Sequence, residues 1–360
     1  MSSARLASSI HLQSPDLPAT KPAERTYIIY YITGNPGLIE YYSTFLTHLY
    51  GLLTRHTSSN PFETIDFHIF GRSLSGFEAD SQHRPRKEKR DRPPFGLQEQ
   101  ISHSEAALEE LVREVRNGGA KDIRVIMMGH SVGAYIMLEI TRRLREKVEK
   151  KVDDGIRIVG GVCLFPTVAH IAHSPSGKKS SWLLKIPTFA TMASLLAKTL
   201  TFLIPTSFLS LLIRTSMSFP PDAARVTAAF LHSPHGVHQA LHMARDEMQQ
   251  ITTDAWDAEI WGAAHPSPHP HPRPVLRFLF AKQDHWVADE TRDDLIKARG
   301  TVAGGSVDGE EDEVEEWKPV MEIDEDEGWP HGFCIKHSVP VAERVYGYVK
   351  GIVESDMRRK

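Results

Sequence analysis

A chain of 360 residues with 42 Lys+Arg, 46 Asp+Glu and 41% apolar side chains can bury one large core or two modest ones, which excludes a short peptide module. The net charge of −4 hides an uneven distribution: Ser306–Glu327 holds twelve acidic residues and one Lys, a local −11, which leaves the rest of the chain at +7. Two cysteines, Cys163 and Cys334, are too few for a disulfide framework at this length and favour a reducing compartment.

In chain order, residues 1–24 lack the apolar run of a secretory signal and read as a mobile tail. The first strand is Tyr27-Ile-Ile-Tyr-Tyr-Ile-Thr33, stopped by Gly34-Asn35-Pro36-Gly37, and a helical pattern follows from about Leu38 to Leu53. Ile65–Phe70 is a second strand. The stretch Asp80–Pro94, rich in Arg, Lys and Pro, reads as a solvated loop, because a basic run without interleaved aromatics is weak evidence for nucleic-acid binding. Apolar residues at helical spacing return from Leu97 to about Arg116, and the strand Ile123–Met128 then runs into Gly129-His130-Ser131-Val132-Gly133 and a new helix.

Ile156–Phe165 and Val275–Ala281 are further strands. Strands alternating with helices argue for an α/β fold, a mostly parallel sheet with helices on both faces. Between these two strands, Trp182–Ile213 is rich in Leu, Phe, Ala and Thr, with Lys185 and Lys198 its only charges. Its longest uncharged piece, Thr199–Ile213, is broken by Pro205 and falls short of the ~18 apolar residues of a membrane span. It suits either one half of a hairpin in a lipid leaflet or a set of cap helices roofing a pocket. The expected division is therefore a core of residues 25–169 and 272–360 with an apolar cap and linker at 170–271. His265–Pro274, with Pro at every second place, reads as a linker rather than a metal site, and the acidic stretch as an exposed insertion without a calcium-loop pattern.

A lone Gly-x-Ser-x-Gly proves little, but here a β-type run precedes it and a helix former follows it, which is the context of a nucleophile elbow at Ser131. A serine hydroxyl needs a base and a group that orients that base, in chain order Ser, then Asp or Glu, then His. Asp284 follows the strand Val275–Ala281 within three residues and suits the acid; Asp289 sits where the next helix should start and reads as a cap. His331 lies in the loop beyond a last strand, Pro319–Asp324, and suits the base. His337, near the start of a final helix over Val341–Met357, is the alternative. An oxyanion needs two N–H donors; Val132 is one, and Asn35 is the second because Pro36 has no N–H. The reaction so sketched requires no metal or organic cofactor.

Tyr31-Ile-Thr-Gly-Asn-Pro-Gly-Leu-Ile-Glu-Tyr-Tyr42, Gly71-Arg-Ser-Leu-Ser-Gly-Phe77, Gly129–Tyr135, Leu164-Phe-Pro-Thr167 with Ser174-Pro-Ser-Gly177, and Asp284-His-Trp-Val287 together resemble the lipid-droplet-associated serine hydrolase family. The blocks run in order from about Tyr27 to Tyr348. The resemblance implies an α/β-hydrolase fold, residence on the cytosolic face of lipid droplets and the endoplasmic reticulum, and a role in neutral lipid storage and turnover. The substrate it implies is a sterol ester or acylglycerol, with no nucleic acid and no required protein partner. Nucleophile, acid and base would fall on Ser131, Asp284 and His331. The basic stretch, the His-Pro linker and the acidic insertion depart from the common pattern as added loops. The basic body and the apolar insert together suit a protein lying against an anionic lipid surface.

Overall fold

Strand formation follows the β-branched and aromatic runs closely, and the longest of them organises the rest. In a computed structural model describing residues 6–13, 25–58, 65–78, 92–149, 155–254, 256, 258–261, 271–300 and 318–359, the run at 25–32 forms the strand β2, Arg25–Ile32. Its side chains alternate, Ile28, Tyr30 and Ile32 entering one core and Tyr27, Ile29 and Tyr31 the other. Both faces are thus apolar, as a strand covered on both sides requires.

β1 (Ser9–Leu12), β3 (Ile65–Arg72), β4 (Ile123–His130), β5 (Ile158–Leu164), β6 (Val275–Ala281) and β7 (Val320–Asp324) complete a seven-stranded sheet. Its order is β1-β3-β2-β4-β5-β6-β7, and every neighbouring pair is parallel except β1 with β3. One face is covered by α2 (Leu97–Asn117), α3 (Val132–Glu149) and α10 (Asp289–Arg299), the other by α1 (Ser43–Ser58) and α11 (Ser338–Arg358). The α/β arrangement with helices on both faces is present.

Three local expectations are corrected. Within the tail at 1–24, Ser9–Leu12 pairs in register with Ile69–Arg72 as an antiparallel edge strand, so backbone pairing orders a segment with only two apolar residues. The helical pattern from Leu38 begins as a 3₁₀ turn, Ile39–Tyr42, and becomes α1 only at Ser43. Asp289 is the first residue of α10, with Ala288 at the cap position, and its carboxylate pairs with Arg292 instead of capping. The basic segment up to residue 91, the linker at 262–270 and the acidic segment up to residue 317 lie outside the described residues.

Between β5 and β6 the chain leaves the sheet to form α4 (Pro175–Leu184), α5 (Phe189–Thr201), α6 (Thr206–Met217), α7 (Pro221–His232), α8 (Gly236–Gln250) and the single turn α9 (Ala258–Trp261). These helices sit over the carboxyl ends of the strands, where Tyr41 bonds Thr227 and Glu40 pairs with Arg225. No single helix among the described residues is long and apolar enough to cross a membrane; α5 and α6 together are, but they are bent by 104°.

The α1–α11 layer closes the second core around Leu49, which is fully buried. Leu49→Ala is expected to lower unfolding free energy by about 2–5 kcal/mol in urea denaturation, the cost of a poorly collapsing cavity.

Candidate active site

The sequence turns from strand to helix within one residue. β4 ends at His130, α3 begins at Val132, and Ser131 between them has φ +53°, in the left-handed region. That conformation costs a non-glycine residue about 1–3 kcal/mol. It is offset by hydrogen bonds from Ser131 N–H to the Leu164 carbonyl and from Ala134 N–H to the Ser131 carbonyl, each 3.0 Å. The two flanking glycines are sterically required: a Cβ at Gly129 would lie 2.3 Å from the Gly133 carbonyl oxygen, and one at Gly133 would lie 2.3 Å from that of Ile32. Backbone cannot yield to either, so strand and helix approach only with glycine at both places.

The turn aims the Ser131 hydroxyl at the loops following β6 and β7. Ser131 Oγ donates to His331 Nε2 at 2.9 Å, and His331 Nδ1–H donates to Asp284 Oδ2 at 2.8 Å. Because a carboxylate only accepts, the second bond assigns the proton to Nδ1 and leaves Nε2 free to take one. Asp284 also accepts from Trp286 N–H at 2.7 Å. Burial would raise the Asp284 pKa, but the His331 bond and charge and the Trp286 N–H more than offset it and hold the group below the usual carboxylate range. His331 is kept in place from behind: Asp324, at the end of β7, accepts from Glu327 N–H and Trp329 N–H, pinning the loop two residues before the imidazole. His337 precedes α11 at its cap position and makes none of these contacts.

Sequence reasoning missed the brace beneath these groups. Gly34 N–H donates to Tyr42 Oη at 3.2 Å, Tyr42 Oη donates to His130 Nδ1 at 2.8 Å, and His130 Nε2–H donates to the His331 carbonyl at 2.8 Å. The carbonyl acceptor fixes the His130 tautomer and with it the direction of the chain. One buried imidazole therefore ties the loop after β2, the serine turn and the backbone of His331. Burial and, secondly, the neighbouring His331 push the His130 pKa down to about 3, so this ring stays neutral. Among the described residues, the N–H groups of Asn35 and Val132 have no acceptor, which leaves both available at the serine. The Asn35 side chain points away into the cap, donating to the Ala240 carbonyl and the Glu247 carboxyl. Another cap helix reaches the loop that carries Asp284, where Ser176 N–H donates to the His285 carbonyl at 2.8 Å. No cluster of three or more His, Cys, Asp or Glu among the described residues is arranged to hold a metal ion.

The sequence profile described as "Lipid-droplet associated hydrolase" matches residues 25–334, most of the chain. The chain belongs to the lipid-droplet associated hydrolase family. Curated relatives named lipid droplet-associated hydrolase include one from Gallus gallus, 30% identical over 61% of this chain and 61% of its own length. Another, from Dictyostelium discoideum, is 24% identical over 87% of this chain and 84% of its own length. The match with the Gallus gallus relative thus spans about three fifths of that protein. Among solved structures, the peroxisomal alpha-beta-hydrolase of Saccharomyces cerevisiae superposes with a TM-score of 0.54 at 9% identity, covering 98% of this chain and 90% of that one. A carboxylesterase from Nitrososphaera gargenis superposes at 0.51 and 11% identity, covering 96% of each chain. At such identities the likeness establishes the fold of this family member, that of the α/β-hydrolases.

The brace carries a pH signature. His130 binds a proton at pH 6.5 when unfolded but only near pH 3 when folded, so its stabilising contribution is complete above pH 6.5 and is lost as pH falls towards 3. Its slope is at most about 1.4 kcal/mol per pH unit. His130→Gln, uncharged and able to hydrogen-bond, is expected to show a smaller drop in Tm between pH 7 and pH 5 than the wild type; an equal drop contradicts the assignment.

Proposed function

We propose that this protein is a serine hydrolase that cleaves carboxylic esters of neutral lipids, sterol esters or acylglycerols, at the cytosolic surface of lipid droplets and the endoplasmic reticulum. The observation that carries the reading is the unbroken chain from Ser131 through His331 to the buried Asp284, at 2.9 and 2.8 Å. His331 Nε2 takes the serine proton as Oγ attacks the ester carbonyl, and Asp284 offsets the charge that appears on the imidazole. The N–H groups of Val132 and Asn35 receive the oxyanion. The alcohol leaves with the proton held on His331, and water, activated by the same imidazole, releases the acid and restores Ser131.

The apolar insert supports a lipid surface as the place of work. Twelve of the thirteen exposed large hydrophobic residues among those described lie between Trp182 and Met217, so this exposure belongs to one patch rather than to a scattered surface. Its apex, between α5 and α6, presents Phe202 at 82% and Leu203 at 85% exposure. Residues 156–221 contain no Asp or Glu, while Lys178, Lys179, Lys185, Lys198 and Arg214 are all exposed in or beside the patch. An apolar surface whose charged residues between 156 and 221 are all cations matches an anionic phospholipid monolayer, to which each nearby cation adds about 1 kcal/mol. The same patch favours a second reading, in which the protein acts mainly as a droplet coat or tether.

One experiment separates these readings and a second tests the surface contact they share. Ser131→Ala is expected to abolish hydrolysis of a long-chain ester presented in emulsion; equal turnover in variant and wild type overturns the esterase reading. Phe202→Asp with Leu203→Asp is expected to weaken binding to phosphatidylcholine–phosphatidylserine vesicles at least tenfold in flotation, since burying each side chain contributes about 1.5–3 kcal/mol. Unchanged flotation removes the insert from the surface contact.

A further inference from the structure

The Asn35 loop is fastened on two sides. Tyr42 holds the Gly34 N–H from within the core, and α8 of the cap holds the Asn35 side chain. We propose that Glu247 is a positioning residue for ester hydrolysis: its side chain grips the Asn35 carboxamide and so sets the direction of the Asn35 N–H at the oxyanion. The proposal rests on the serine-hydrolase reading for its kinetic consequence, and on geometry alone for the grip itself.

Glu247 lies on α8 at 4% exposure, and its Oε1 is 3.0 Å from Asn35 Nδ2. No cation among the described residues pairs with it. A carboxylate enclosed in this way, with a single neutral amide as partner, is poorly stabilised. Burial accordingly pushes its pKa up to about 8, against the opposing effect of the Asn35 bond, so the acid form prevails at neutral pH. That form has a proton to donate. Beside it, Asn35 Oδ1 is buried and has no donor among the described residues. A carboxylic acid facing a primary amide can serve both of its atoms, accepting from Nδ2 and donating to Oδ1.

The helix does not depend on Glu247 for its own place. Gln239 on α8 accepts from Phe95 N–H and donates to the Phe95 carbonyl at 2.7 and 2.8 Å, and Asp246 accepts from Leu97 N–H at 2.7 Å. These bonds fix α8 to the core independently, so a change at Glu247 acts on the Asn35 loop and leaves the cap seated. Because α5, which carries part of the exposed apolar face, packs on α8, the same helix joins the lipid-facing insert to the oxyanion loop.

The test compares Glu247→Gln, which keeps both donor and acceptor without charge, with Glu247→Leu, which keeps the bulk and loses both. Gln is expected to retain wild-type kcat. Leu is expected to lower kcat roughly tenfold to a hundredfold, the range for a misdirected catalytic group, with KM within about twofold. Wild-type kcat in the Leu variant overturns the proposal, as does a Gln variant as slow as the Leu one. If Glu247→Leu does not fold, Asn35→Ala supplies the comparison and is expected to show the same loss of kcat. An activity-independent readout separates this proposal from the esterase reading. The chain has only three Asn, at 35, 60 and 117, so the Asn35 carboxamide is identifiable in a protein labelled with 15N-asparagine. The amide proton directed at Glu247 is expected to be protected from exchange in the wild type and in Glu247→Gln and to lose that protection in Glu247→Leu, while the one bonded to the Ala240 carbonyl stays protected. Equal protection in all three overturns the grip even where Ser131 proves catalytic, whereas protection that follows the proposal in a protein without Ser131-dependent turnover faults the esterase reading alone.

Discussion

The structure depends on a backbone that passes from β4 to α3 through one residue in a left-handed conformation. That passage is open only because Gly129 and Gly133 let strand, helix and the end of β2 come within distances that a methyl group would forbid. The strain at Ser131 lifts its hydroxyl to the carboxyl edge of the sheet. Each other candidate group arrives at the same edge by a loop that leaves another strand of the parallel set: Asn35 after β2, beside β4, and Asp284 after β6 and His331 after β7, two and three strands away. A parallel sheet brings these loop starts to one end, and the turn makes one of them a projecting oxygen.

Precision comes from buried polar groups. The loops are long enough to wander, but Asp324 pins one, Tyr42 and His130 join two others, and the cap grips the Asn35 side chain. In a low-dielectric interior each such bond is costly to leave unmade, so the network permits few alternative arrangements. The cap thus has a rigid side and a side open to its surroundings. α8 is bolted to the core through Gln239 and Asp246, while α5 and α6 bend around an apex of largely exposed apolar side chains. A lipid surface that covers the apex gains apolar burial without disturbing the bolted side.

Most sheet elements were legible in the sequence because their apolar runs are sharply bounded. β6 begins just after Pro274 and ends before Lys282, and a Gly-rich turn closes the run that becomes β2. β1 was not legible, because four residues with two polar ones carry no local signal; pairing with β3 supplies the order. At the site, Ser131 announces itself through its local Gly-x-Ser-x-Gly context, and Asp284 and His331 through their places after strands. The positioning residues have no such mark. Tyr42 and His130 are 88 residues apart, His130 and His331 are 201 apart, and Asn35 and Glu247 are 212 apart. Each reads locally as a core aromatic, a motif filler or a helix-surface acid, and only the fold gives it a partner.

The most direct test of the account is where, and how fast, a fluorophosphonate attaches. Peptide mapping of the labelled protein is expected to find the adduct on Ser131, and Asp284→Asn is expected to slow its formation by roughly a hundredfold or more, because the imidazole loses the acceptor that fixes its tautomer. An adduct on another residue, or formation at the wild-type rate in Asp284→Asn, would contradict it.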